Sequence, residues 1–113
     1  MGKLSGIIID CADAKRAAAF WAQALEGYTI DEQEWGITLR SESDPPIFFE
    51  MVPEGKIVKN RLHVNLRAVD RVAEVQRLVA LGATEVEEKS PGGTYTWTNM
   101  LDPEGNEFCV SQA

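Results

Sequence analysis

Hydrophobic and polar positions follow two periods along this chain, and the order of those periods occurs twice. The apolar-rich run Gly6-Ile-Ile-Ile-Asp-Cys-Ala-Asp13 ends in an aspartate and leads into Ala18, Trp21, Ala22 and Leu25, spaced i, i+3, i+4, i+7 as one face of a helix. At an offset of 57 residues, His63-Val-Asn-Leu-Arg-Ala-Val-Asp70 leads into Val75, Leu78 and Val79 at the matching places. Asp13 and Asp70 are predicted N-caps. Gly27 and Gly82 are predicted to end the helices in the left-handed C′ position. Strand-like segments follow each helix, at residues 28–33, 35–40 and 47–52 in the first half and 84–88, 94–101 and 107–111 in the second. Asp102-Pro103-Glu104-Gly105 carries type I turn chemistry ahead of the last strand.

The expected fold is therefore α+β. Two βαβββ modules form a curved mixed sheet with a central trough, and the helices lie on the outer face. One domain spans residues 1–113, with module 1 at 1–56 and module 2 at 57–113. Period-two alternation sorts the strand residues. Ile7, Ile9 and Cys11, then Leu62, Val64, Leu66 and Ala68, point toward the helices. The other faces carry Asp10, Phe48, Glu50, His63, Asn65, Arg67, Glu107 and Cys109, with Trp97 and Tyr95 as further candidates. Two readings stay open: a solvated second face, which antiparallel sheets often have, or a ligand trough, favoured by Ile8 and Phe48 among the polar groups. Arg67 and Asp10 hold equivalent places in the two repeats, as a structural ion pair or as the polar end of a ligand site. Trp21 belongs to a helix stripe and is expected in the core.

Composition narrows the function. A length of 113 residues with 44% hydrophobic and 26% charged suits one globular domain. Eleven Lys and Arg against eighteen Asp and Glu give a net charge of −7, and the acidic runs 31–34 and 85–88 would repel phosphate, so nucleic acid is not an expected partner. No run reaches the ~20 apolar residues of a membrane span, and no signal-like segment opens the chain, so a cytoplasmic location is expected. Cys11 and Cys109 lack metal-clip spacing and are expected on opposite faces, unbonded.

The paired modules, the strand–Asp–helix openings, Phe20-Trp21, the joint Lys59-Asn60-Arg61-Leu62-His63 and Asp102-Pro103-Glu104-Gly105-Asn106 together resemble the vicinal oxygen chelate superfamily, the glyoxalase, bleomycin-resistance and extradiol-dioxygenase group. The likeness is greatest to its small glyoxalase-like domains and covers essentially the whole chain. It implies a divalent metal held by one side chain from each of the first, fourth, fifth and eighth strands. Carried over residue by residue, those positions are Gly6, Glu50, His63 and Cys109, with Glu107 on the same face as Cys109. Glu50 and His63 are thus the retained metal ligands. Gly6 offers no donor, and Cys109, with no second histidine to activate it, reads as a small buried hydrophobe.

The resemblance implies a protein that binds a small organic molecule in the trough without a complete metal site and so without a cofactor. The alternative it leaves is a divalent-metal-dependent isomerase, lyase or dioxygenase acting on a small oxygenated substrate, with Asp10 or Cys109 completing the shell. Whether the chain is an enzyme stays open, and the family habit implies a homodimer.

Overall fold

Asp13 and Asp70 each accept a hydrogen bond from the backbone N–H three residues on, at 3.1 Å, satisfying one of the orphan donors of a first helical turn. These caps start α1 (Ala14–Ala24) and α2 (Arg71–Ala80). The computed structural model describes every residue from Met1 to Ala113 and divides into two units, Met1–Gly55 and Lys56–Ala113. The first contains β1 (Ile7–Cys11), α1, β2 (Thr29–Gln33), β3 (Gly36–Arg40) and β4 (Ile47–Met51). The second contains β5 (Val64–Ala68), α2, β6 (Thr84–Lys89), β7 (Trp97–Leu101) and β8 (Glu107–Gln112). The class is α+β, and each unit is a βαβββ module.

Each module has its own four-stranded mixed sheet, in the orders β1-β4-β3-β2 and β5-β8-β7-β6. The outer pairs β1–β4 and β5–β8 are parallel, because a helix and two strands intervene in sequence, and the hairpin-connected strands are antiparallel. Helix α1 packs on β3 and β4, and α2 on β8, β5 and β6. Of the six alanines in α1, the buried Ala14, Ala17, Ala18 and Ala24 keep the helix close to its sheet. Trp21, 2% exposed, fills the first core, and its ring meets Phe20 edge-on at 5.3 Å. Leu78, Met100, Phe108 and Val110 are the fully buried centre of the second.

Helix ends differ from the expectation at one place. Gly82 occupies C′ of α2 with positive φ; its N–H reaches the Val79 carbonyl and the Ala83 N–H reaches Leu78, a Schellman closure. Gly27 also has positive φ but lies two residues past the α1 cap, Leu25, whose backbone is already extended. Strand β7 begins at Trp97 rather than Thr94, because Pro91–Gly93 forms a 3-10 turn with Gly92 and Gly93 at positive φ. The acidic runs lie largely in β2 and β6, the antiparallel edge strands, where charge discourages unwanted strand pairing. No helix is long and apolar enough to cross a membrane.

Candidate functional site

Register builds a row of side chains across the second sheet. Asn65 of β5 pairs with Cys109 of β8, and Cys109 with Asn99 of β7, so all three project from one face. One row along, Arg67, Ser111, Trp97 and Lys89 are aligned across all four strands. The opposite face, with Phe108, Val110, Met100 and Thr98, is buried against α2.

A cavity of about 680 Å³ lies over this face. His63, Asn65, Trp97 and Cys109 line it, as the alternation suggests, and all its lining residues belong to the second unit. Arg67 is exposed and does not line it. Lys59, Lys89, Asn99, Val86 and Leu101 line it without having been singled out in the sequence. Asn99 and Leu101 share the face of Trp97 by alternation, so that signal was present. Tyr95, just ahead of β7, leans against Trp97 with ring centroids 5.6 Å apart and planes tilted by 41°.

The polar groups of the cavity constrain one another. Trp97 Nε1–H, which can only donate, gives to Asn99 Oδ1 at 3.1 Å, and the Cys109 thiol gives to the same oxygen at 3.1 Å. Burial pushes the Cys109 thiol above its ordinary pKa of 9.0, against the opposing pull of the Lys59 ammonium, so it is protonated at neutral pH. Asn65 Nδ2 donates to Ser111 Oγ at 3.3 Å. Glu107 accepts from Lys56 Nζ at 3.0 Å and from the Asn60 N–H at 3.0 Å. Desolvation would raise its carboxyl, yet the bonds from Asn60, Lys56 and its own N–H outweigh it and hold the group below the ordinary 4.5. Both cysteines are buried free thiols.

Asp10, Phe48 and Glu50 lie in the first unit, on the sheet face away from α1. Asp10 and Glu50 are register partners on the parallel pair β1–β4, and both are exposed. Phe48 covers Gly6: its Cε2 lies 2.5 Å from the point a Cβ on Gly6 would take, and the Pro46 carbonyl oxygen lies 3.0 Å from it. The four-donor set implied by the resemblance is therefore not fitted by the residues present. Gly6 has no donor and no room for one, Glu107 is engaged by Lys56 and Asn60, and Cys109 is a bonded thiol. In neither unit do three His, Cys, Asp or Glu side chains gather as a metal site would need.

Paired βαβββ modules, each with a helix on one sheet face, define the class to which this chain conforms. The chain belongs to the glyoxalase-like domain family, whose model matches residues 6–111. It matches no curated protein sequence. Among solved structures it is similar to a glyoxalase/bleomycin resistance protein/dioxygenase family enzyme from Burkholderia phytofirmans, with 20% identity over 98% of both chains and a TM-score of 0.78. It is similar to the fosfomycin resistance protein FosX from Mesorhizobium loti, with 11% identity over 100% of this chain and 93% of the other, at 0.75. A bleomycin-binding protein solved with bleomycin shares 16% identity over 99% of both chains, at 0.66. At such identities the likeness is one of fold.

Proposed function

We propose that the chain binds a small organic molecule in the cavity on the second face of β5, β8 and β7, without a complete divalent-metal site. The observation that carries this reading is the cavity itself. Its ~680 Å³ is the size of a small-molecule site, and the Tyr95–Trp97 pair, Val86 and Leu101 supply apolar wall around a few polar groups. A bleomycin-binding protein of the same fold supports the idea that such folds sequester organic molecules. The donor set argues against metal assistance, for the reasons given above. The working form is a homodimer in the cytoplasm; Ile8 and Met51, exposed apolar residues of the first sheet, and two unbonded thiols accord with this.

The test is metal analysis of the purified protein together with native mass spectrometry for a co-purifying organic ligand. A stoichiometric divalent metal, removable by chelator with a fall in melting temperature that His63→Ala reproduces, would overturn the metal-free reading in favour of a metal-dependent enzyme. Light scattering at micromolar concentration that finds only 12.5 kDa species would overturn the dimer.

A further inference from the structure

We infer that the ligand of this cavity is a flat aromatic anion, a carboxylate or its equivalent; this rests on the small-molecule reading above. The chain as a whole carries −7, yet its cavity has the opposite balance. Three charged residues line it: Lys59, Lys89 and Glu107. Glu107 is already saturated by Lys56 Nζ and the Asn60 N–H, each at 3.0 Å, so its charge is answered from within the protein. Lys59 has no carboxylate at ion-pairing distance, and its field reaches the Cys109 thiol at the cavity floor. Lys89 is paired only with Glu87, at 3.7 Å and with side chains 46% and 58% exposed, a pair that water screens and that a better-placed anion displaces at little cost.

Hydrogen-bond capacity points the same way. Asn99 Oδ1 is occupied by two donors, Trp97 Nε1–H and Cys109 S–H, which fixes the orientation of the amide and leaves its Nδ2 hydrogens for a ligand. Against the acceptors that Asn65 Oδ1 and the His63 ring offer, the cavity sets two ammonium groups and an amide NH2, and its one carboxylate is already bonded within the protein. A ligand that satisfies it brings acceptors and negative charge. The register sets Lys89 directly beside Trp97 on the same face, and the Tyr95 ring leans on that indole at a tilt. A ring lying against Trp97 therefore brings a carboxylate on its edge within reach of the lysines.

The experiment titrates the full chain with three probes that share one ring system and differ only in charge: 2-naphthoate, 2-naphthalenemethanol and 2-naphthylmethylammonium. Binding is read from the Trp97 indole and Asn99 side-chain NMR signals. The naphthoate is expected to bind roughly tenfold more tightly than the alcohol and the ammonium more weakly still. Lys59→Gln is expected to shrink the gap between naphthoate and alcohol about three- to tenfold, and Lys89→Gln to act in the same direction. Lys15→Gln, at an exposed position of α1 in the other unit, leaves the gap as it was. If the alcohol or the ammonium binds as tightly as the naphthoate, or if the gap survives Lys59→Gln together with Lys89→Gln, the anionic assignment is wrong while the small-molecule site stands. If none of the three moves the Trp97 or Asn99 signals, both readings fall.

Discussion

The ring of Phe48 stands where a side chain on Gly6 would begin, with Cε2 2.5 Å from that Cβ position. Real Cβ atoms do not approach so closely, so the space beside the start of β1 is already filled from β4. Gly6→Ala is expected to destabilise by about 1–3 kcal/mol, the usual cost of overpacking. Phe48→Ala in the same chain should recover part of that loss, giving a coupling of about 1 kcal/mol in a denaturant double-mutant cycle. Strict additivity of the two changes would show that the ring moves aside freely. Gly6→His, the substitution that would supply the missing first-strand donor, meets the same obstacle before it can hold any metal.

Asp102 shows how a turn holds the cavity's register. It is 3% exposed, and its Oδ1 accepts the N–H groups of Glu104 and Asn106, each at 2.9 Å. Gly105, at positive φ, closes the turn onto the Asp102 carbonyl. That hairpin aligns Asn99 with Cys109. Asp102→Ala orphans two backbone donors and is expected to cost about 1–3 kcal/mol by urea unfolding, with broadening of the Asn99 side-chain signals. Asp102→Asn, which keeps an acceptor oxygen, should lose less; equal losses in both variants would mean that the carbonyl-type oxygen is not what holds the turn.

The repeat, the caps and the helix faces were legible because each is a local property. Asp13 and Asp70 bond three residues ahead, and Trp21 lies on a stripe visible in one helical window. His63, Asn65 and Cys109 followed from alternation alone. Lys59 was not legible, since residues 53–63 have no period. Their path is set by Glu107, which holds Lys56 and Asn60 across 51 and 47 positions of sequence. The metal positions show the converse. The family resemblance located Gly6 and Cys109, but that Phe48 fills the space at Gly6 and that Asn99 engages the Cys109 thiol are facts of packing between strands distant in sequence.

Acid should release that segment. The Glu107 carboxyl has a folded-state pKa below 4.5, so its contribution to stability is fully present above 4.5 and is lost as pH falls through the lower folded value. The stability difference between the native chain and Glu107→Gln, from urea midpoints, should therefore be constant near neutrality and shrink below pH 4.5. Amide exchange at Asn60 should quicken over the same range. A difference that stays constant down to pH 3 would mean that Glu107 bonds no better as a carboxylate than as a neutral group.

Cys109 should be a poor nucleophile whose titration reports on Lys59. Burial raises its pKa above 9.0 by disfavouring the thiolate, and the Lys59 ammonium opposes that shift without cancelling it. Iodoacetamide reacts with the thiolate, so the rate of Cys109 alkylation against pH, resolved from Cys11 by peptide mass spectrometry, reads the titration directly. Its midpoint is expected above 9.0, with slow modification at pH 7 compared with an unfolded control. Lys59→Gln removes the only group that favours the charged form and should move the midpoint higher still. The Asn99 contact makes a second, opposite lever: Oδ1 accepts from the S–H and so holds the protonated form, and Asn99→Ala should bring the midpoint down. A midpoint at or below 9.0 in the native chain would show that burial does not outweigh the lysine's pull; one that Lys59→Gln leaves in place would show that the lysine's charge does not reach the cavity floor, and would remove one of the supports for an anionic ligand.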